Sequence, residues 1–365
     1  MSDPVAAPLR MAIASDAWLP QVNGVVRTLL ATVGELRARG HTVEMITPER
    51  FFTVPMPGYA QIRLAMAPRF TARRILDEFR PDIVHIATEG PIGWAARGWC
   101  RAHGVPFTTA FHTRFPEYLS VRTGLSAEVF WPIMQRFHGP ARAVMVATPS
   151  LEAELAERGI GPACRWSRGI DHAIFRPDGA LLPEMADLPR PILLNVGRVA
   201  PEKNLEAFCE LPIEGSKVVV GDGPALAEMQ RRYPHVHFLG ARSGQALASA
   251  YRAADVFVFP SRTDTFGLVV IEALACGLPV AAYPVSGPLD ILGADGRGEG
   301  ASRIDAPVAV LDADLATAVE GALALDGRDA ACFASAYSWP AATDQFLAAI
   351  GHALHNGPCP QACVA

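Results

Sequence analysis

Short apolar runs alternate with longer segments of helical period along most of the 365-residue chain. In the first half, Leu9 to Ser15, Thr42 to Thr47, Asp82 to Ala87, Phe107 to Phe111 and Ala143 to Thr148 predict strands. Between them, Val25 to Arg39, Thr71 to Phe79 and Leu151 to Arg158 carry helical patterns that close at Gly or at Arg80-Pro81. The alternation restarts at Ile192 to Val196 and continues through Lys217 to Val220, His235 to Leu239, Val256 to Pro260 and Val280 to Tyr283. Strands that are apolar throughout and separated by helices mean parallel sheets covered on both faces. Between the two series, Arg176-Pro177-Asp178-Gly179 to Pro189-Arg190-Pro191 is rich in Pro and turn residues. The pattern therefore predicts an α/β chain of two doubly wound domains, residues 1–175 and 192–339, joined by a linker at 176–191. A last helix, 340–355, is expected to pack back on the first domain. Ligands of such sheets bind beyond the carboxyl ends of the strands, here expected in a cleft between the domains.

Composition narrows the class. Half of the residues are hydrophobic and 19% are charged, which excludes an intrinsically disordered chain. Charged residues or Pro interrupt every run before the roughly 18 apolar residues of a membrane span. The first apolar run meets Asp16 too early for a secretory signal, so a cytoplasmic protein is expected. The seven cysteines show no C-x-x-C pair, so neither a zinc site nor a disulfide framework is indicated, and free thiols suit a reducing compartment. Through Asp178 there are twenty Arg, no Lys and sixteen acids, a balance of +4; the remainder, 12 basic and 21 acidic residues, carries −9. The basic half is compatible with ordinary surface variation or with an anionic surface. Neither half shows G-x-G-x-x-G after a strand, nor a P-loop, which demotes nicotinamide enzymes and P-loop nucleotidases.

The most informative segment runs from Phe259 to Val280. A strand ends at Pro260, a polar loop follows, and a helix starts near Phe266-Gly267 and stops at Gly277. Gly267 lets a ligand approach the backbone, and the N–H groups of Phe266, Gly267 and Leu268 offer an anion site at a helix start. Asp264 lies ahead of this helix and Glu272 about one and a half turns inside it. Two acids so spaced can hydrogen-bond sugar hydroxyls at one end and ribose hydroxyls at the other. Each alone would read as a helix cap or a solvated face. A second element, Asn195 to Leu205, follows the first strand of the second domain and sets Arg198 and Lys203 at its carboxyl end. Two cations there can neutralise a diphosphate. Lys203 and Lys217 are the only lysines in the chain.

Thr263-Asp264-Thr265-Phe266-Gly267 and its downstream Glu272 resemble the donor-binding element of glycosyltransferase family 4. Its signature is two acids separated by seven residues, with Asp264 here in place of the usual Glu. The segment is similar to the branch of mannosyltransferases and glycosyl-diacylglycerol synthases. The resemblance implies a GT-B fold of two Rossmann-like domains facing across a cleft, and a retaining hexosyltransferase that takes a UDP- or GDP-linked sugar. It makes Arg198 and Lys203 the diphosphate clamp. It carries Asn23, Gly24 and Val25 over as the loop that closes on the donor. It sets His112, in His112-Thr113, against the donor sugar. Gly221 and Gly223 become the turn beneath the nucleotide, while Arg168-Gly169-Ile170-Asp171 reads as architectural. Catalysis is expected from His112, Arg198, Lys203 and Asp264, through same-face substitution in which the departing phosphate accepts the acceptor proton. No metal and no cofactor are expected.

The acceptor is read from the basic half. Arg63, Arg69, Arg73 and Arg74 are interleaved with Leu64, Met66, Phe70 and Ile75. Beyond His112, an aromatic-rich stretch from Phe115 to Phe137 carries Arg114, Arg122 and Arg136. One reading is a core-facing helix with surface arginines. The other is a surface that docks on an anionic bilayer and takes a lipid acceptor, probed by salt washing of membranes. With the resemblance, a diacylglycerol-type acceptor at the inner face of the membrane is expected. Transfer of mannose or glucose to a polysaccharide or soluble sugar is the alternative. A non-catalytic nucleotide-sugar or nucleic-acid binder is the distant third.

Overall fold

The computed structural model describes residues 7–355 except 22, 57–58, 113, 265 and 300–301, and leaves aside the side chains of 59–62, 118, 121 and 122. Val22, Thr113, Thr265, Cys359 and Cys363, and the side chains of Tyr118, Val121 and Arg122, thus lie outside the described residues. The first elements are β1 (Arg10–Ala14), α1 (Gly24–Ala38), β2 (Thr42–Ile46), β3 (Thr53–Met56), β4 (Tyr59–Ala65), α2 (Pro68–Phe79), β5 (Ile83–Ile86) and α3 (Pro91–His103). There follow β6 (Phe107–Phe111), α4 (Phe115–Thr123), α5 (Trp131–His138), β7 (Ala143–Val146), α6 (Pro149–Glu157) and β8 (Ala163–Arg165). The second series is β9 (Ile192–Val196), α7 (Leu205–Cys209), β10 (Ser216–Val220), α8 (Leu226–Arg232), β11 (His237–Phe238), α9 (Gly244–Ala253), β12 (Val256–Phe259) and α10 (Leu268–Ala275). The chain continues through β13 (Val280–Ala282), α11 (Ser286–Leu292), β14 (Ala309–Leu311), α12 (Leu315–Leu323), α13 (Arg328–Ala334) and α14 (Trp339–His355).

These elements form two compact units, one reaching Gly169 and resuming at Trp339, the other spanning Ile170–Ser338. In the first, a parallel sheet has the order β2-β1-β5-β6-β7-β8. Strand periodicity sends Met11 and Ile13 of β1 to one face and Ala12 and Ala14 to the other. The Ala12 face packs with Ile86, Phe111, Trp131 and Phe137; the Met11 face packs with Leu29, Trp166, Phe346 and Ile350. Phe346, Leu347 and Ile350 belong to α14, which therefore completes the core of the first unit from the far end of the chain. Ser167 N–H donates to Gln345 Oε1 at 2.6 Å, and Arg39 Nη2 donates to the Pro340 carbonyl at 3.0 Å, fixing that docking at its polar rim.

The second unit repeats the design with the order β11-β10-β9-β12-β13-β14, again parallel. Segment 176–191, read as the linker, packs against this unit. Leu182 and Met185 are buried, Leu182 N–H donates to Ser249 O at 3.1 Å, and Arg252 Nε donates to Ala180 O at 3.0 Å. Pro and Gly content signalled turns there and concealed two apolar anchors. The antiparallel hairpin β3-β4 and the three-residue edge strands β8 and β14 are further additions, too short or too polar to stand out from periodicity. Cys164 on β8 is disulfide-bonded, which departs from the reading of uniformly free thiols. No helix among the described residues is long and apolar enough to cross a membrane.

Candidate functional site

In the second unit the two predicted segments meet at the carboxyl ends of β9 and β12. The loop after β9 carries Arg198 and a 3-10 turn, Pro201–Lys203, closed by Asn204 in the left-handed region at φ 52°. Asn204 Nδ2 donates to Pro260 O at 3.0 Å, and Thr263 Oγ1 donates to Glu202 O at 3.3 Å, so this loop is tied to the one after β12. Across that seam the Lys203 ammonium is ion-paired with the Asp264 carboxylate, and Arg198 with Glu202. Burial alone would push the Asp264 carboxyl up; the Lys203 ammonium overrides it and holds the group below the ordinary carboxylate value. Both proposed clamp cations thus rest on carboxylates.

Gly221 and Gly223 sit behind this loop. A Cβ on Gly221 would lie 1.8 Å from the Gly197 carbonyl oxygen, and one on Gly223 would lie 2.3 Å from that of Val199. Gly197 N–H donates to Val220 O and Val199 N–H to Asp222 O, at 3.1 and 2.9 Å. The two glycines therefore set the loop that displays Arg198 by allowing backbones to touch. Gly267, at φ 98°, is the N-cap of α10 and gives its first turn the approach to β12. Phe266 is buried against Tyr337, and Leu268 opens the helix. Glu272 is 1% exposed and accepts a hydrogen bond from Tyr251 Oη at 3.1 Å. That removes the reading of a solvated face, since a carboxylate in so apolar a helix is retained only where polar partners hold it.

In the first unit, Asn23 is the N-cap of α1. Its Oδ1 accepts from Val26 N–H at 3.0 Å and its Nδ2 donates to Gln21 Oε1 at 3.1 Å, so its side chain is engaged in capping while Gly24 is exposed and Val25 half-buried. Asp16, just past β1, accepts from the N–H groups of Ile92 and Gly93 at the start of α3, at 2.9 and 3.2 Å, and from Thr88 Oγ1 at 3.0 Å. Its burial nevertheless pushes the carboxyl up to about 6. His112, at the end of β6, is buried, and its Nδ1 accepts from Arg168 Nη2 at 2.8 Å. Burial, then the Arg168 charge, hold the imidazole well below its ordinary value, so it is neutral. Sequence reasoning missed two partners, Tyr251 and Gly287, whose Cβ would fall 2.6 Å from Asp264 O, and read Arg168 as architectural. The isolated Ser286-Gly287-Pro288 was the signal for Gly287; nothing local marked Tyr251.

The basic half resolves into distinct parts. On α2, Ile75 is buried while Arg69, Phe70, Arg73 and Arg74 are exposed, with Phe70 at 83% and neighbouring Met66 at 51%. Arg73 pairs with Asp77 at 3.2 Å, and Arg63 is bound to Thr53 on β3. In the aromatic stretch, Trp131, Met134 and Phe137 enter the core, whereas Leu125, Val129 and Ile133 face solvent. Arg114 pairs with Glu154 at 2.8 Å. No group of three or more His, Cys, Asp or Glu among the described residues is arranged to hold a metal ion.

The family model Glycosyltransferase Family 4 matches residues 22–174, and Glycosyl transferases group 1 matches residues 190–324. The chain is 34% identical over 309 residues to a GDP-mannose-dependent alpha-mannosyltransferase of Mycobacterium tuberculosis, covering 78% of this chain and 81% of that one. It is 24% identical to the alpha-monoglucosyldiacylglycerol synthase of Streptococcus pneumoniae, covering 75% and 71%. Among solved structures, sucrose-phosphate synthase from Thermosynechococcus elongatus superposes with a TM-score of 0.72 at 23% identity, over 92% of this chain and 96% of that one. With its two parallel-sheet units, the chain is a member of glycosyltransferase family 4, a hexosyltransferase of GT-B fold that uses a nucleotide-sugar.

Proposed function

We propose that the enzyme transfers a hexosyl residue, with retention of anomeric configuration, to a membrane lipid of the diacylglycerol type at the anionic cytoplasmic leaflet. The name of the mycobacterial relative favours GDP-mannose as donor, and that of the streptococcal relative favours the lipid acceptor. On this reading the donor diphosphate takes Lys203 from Asp264 and Arg198 from Glu202. The freed Asp264 carboxylate turns to a sugar hydroxyl, and Glu272 binds the ribose. The first turn of α10 adds N–H groups at the diphosphate. The backbone of Gly24 and Val25 contacts the donor in place of the capped Asn23 side chain, and His112 contacts the sugar. As the glycosidic bond breaks, negative charge grows on the leaving phosphate, where Arg198 and Lys203 stabilise it without a resident metal. The same phosphate accepts the acceptor hydroxyl proton as the new bond forms on the face just vacated.

The observation that carries the lipid acceptor is α2, where exposed Phe70 lies between Arg69 and the pair Arg73 and Arg74. An apolar side chain flanked by cations suits the boundary of an anionic bilayer, at about 1 kcal/mol per basic residue. Because Arg73 is shared with Asp77, Arg69 and Arg74 supply most of that attraction. Binding to vesicles containing phosphatidylglycerol should fall with salt, and Arg69→Gln with Arg74→Gln should weaken it by about 2 kcal/mol, roughly 30-fold. Vesicle binding indifferent to both salt and the double substitution would remove this surface. Full activity on soluble sugars with no vesicle binding would move the acceptor to a polysaccharide or soluble sugar.

A further inference from the structure

Trp166 and Arg168 stand beside His112 within the first unit. Trp166 is fully buried, with its ring centroid 5.4 Å from that of His112, and the Arg168 guanidinium carbon lies 5.1 Å from the Trp166 ring. Arg168 Nη1 donates to the carbonyls of Trp166 and Ser167 at 2.7 and 3.1 Å, which fixes the fork so that Nη2 meets His112 Nδ1 at 2.8 Å. His112 and Arg168 are both buried, at 9% and 7% exposure.

A guanidinium has donors and no acceptor, so the nitrogen that meets it must present a lone pair. A neutral imidazole with its lone pair on Nδ1 carries its proton on Nε2. We infer that Arg168 is a positioning residue that locks His112 in the neutral Nε2–H form, making it a hydrogen-bond donor toward the sugar and withholding it from general-base chemistry. This rests on the reading of His112 as a donor-sugar contact. Among the described residues, the charged and titratable groups that shift His112 are Arg168 and His85, the latter on β5 and hydrogen-bonded through Nδ1 to Thr108 Oγ1 at 2.9 Å. Neither offers His112 a negative charge. Burial lowers Arg168 only to about 10, so it stays charged at neutral pH. The design suits a retaining transferase: a basic imidazole beside the reacting carbon could activate water and waste the donor.

The test is nitrogen NMR of the histidine-labelled full-length enzyme, with the His112 signal assigned by loss in His112→Gln, together with pH-rate profiles. The wild type should show His112 neutral and protonated on Nε2 from about pH 5 to 8, with no imidazole ionisation in kcat. Arg168→Met should release the ring to a tautomer mixture, lower kcat on the order of 10²-fold and bring in a new acidic limb. Arg168→Lys should restore part of both. A wild-type His112 that titrates normally or carries its proton on Nδ1 would overturn the inference, and this holds even if Arg168→Met does not fold. An Arg168→Met enzyme that keeps the Nε2–H form and the parent profile would overturn it as well. If the tautomer shifts while kcat and donor KM stay unchanged in both Arg168→Met and His112→Gln, the role of His112 at the sugar falls and takes the catalytic consequence with it.

Discussion

The ammonium of Lys203 is ion-paired with the carboxylate of Asp264, across 61 residues of sequence, at the joined ends of β9 and β12. The Lys203 ammonium keeps the Asp264 carboxyl ionised, and the pair holds both side chains in place. On the proposed function, donor binding is an exchange of partners, in which a diphosphate with more negative charge displaces one carboxylate.

Removing the cation should therefore cost more than a contact. Lys203→Ala or Arg198→Ala is expected to lower kcat/KM on the order of 10²-fold or more with the fold retained, since on the proposed function each faces the charge that develops on the leaving phosphate. Because Lys203 and Asp264 are coupled, Lys203→Ala with Asp264→Ala should cost less than the sum of the two single changes, as a double-mutant cycle would show. Strict additivity would mean that the pair is not shared with the donor.

Glu272 and Tyr251 form the second coupled set. Glu272→Ala should raise the donor KM, because ribose hydroxyls change little on the way to the transition state. Tyr251→Phe removes only the hydrogen bond that orients the carboxylate, worth about 1 kcal/mol, and should raise donor KM by roughly fivefold. A wild-type donor KM in Glu272→Ala would leave Glu272 as a core acid held by Tyr251.

Asp16 gives a pH signature of known sign. Its carboxyl is raised from 3.8 to about 6 in the folded chain, so between those values the folded state binds a proton that the unfolded state has released. Its contribution to stability is present below about pH 4 and lost as pH rises through about 6, at most about 3 kcal/mol. Other carboxylates are shifted the opposite way, Asp77 and Asp326 among them, so the net stability curve need not follow. The difference in unfolding free energy between wild type and Asp16→Asn isolates the group. That difference should move in favour of the wild type as pH falls from 7 to 4, and no movement would contradict the burial cost.

The apolar strands, the helices between them and the motif residues were legible because each depends on local pattern. The parallel sheets followed from Val256–Phe259 being apolar at every position and Ile83–Ile86 at all but His85. What local pattern could not encode was which distant residue completes each charged group. Arg168 stands 56 residues from His112, and Tyr251 stands 21 from Glu272. Arg168 read as architectural because its partner is chosen by the sheet, which sets the ends of β6 and β8 on either side of β7. The stretch from Phe115 to Phe137 could not be divided by composition either: Trp131 and Phe137 enter the core while Val129 and Ile133 do not, a choice set by short helical turns and packing.

The last helix supplies a prediction about the fold itself. Phe346 of α14 is fully buried with Trp166 and His85, at ring-centroid distances of 5.0 Å from each. Phe346→Ala should destabilise the first unit by about 3–5 kcal/mol in denaturant unfolding. A loss below about 1 kcal/mol would mean that α14 is not part of that core.

The central claim is tested most directly by product analysis. The purified enzyme is incubated with UDP- and GDP-linked hexoses and diacylglycerol dispersed in phosphatidylglycerol micelles, and the lipids are read by mass spectrometry beside a Lys203→Ala control. The account predicts a lipid heavier by one hexosyl residue, alpha-linked, formed from one class of nucleotide-sugar and lost in the control. A beta-linked product, or hexosyl transfer confined to soluble sugars with the lipid untouched, would contradict it.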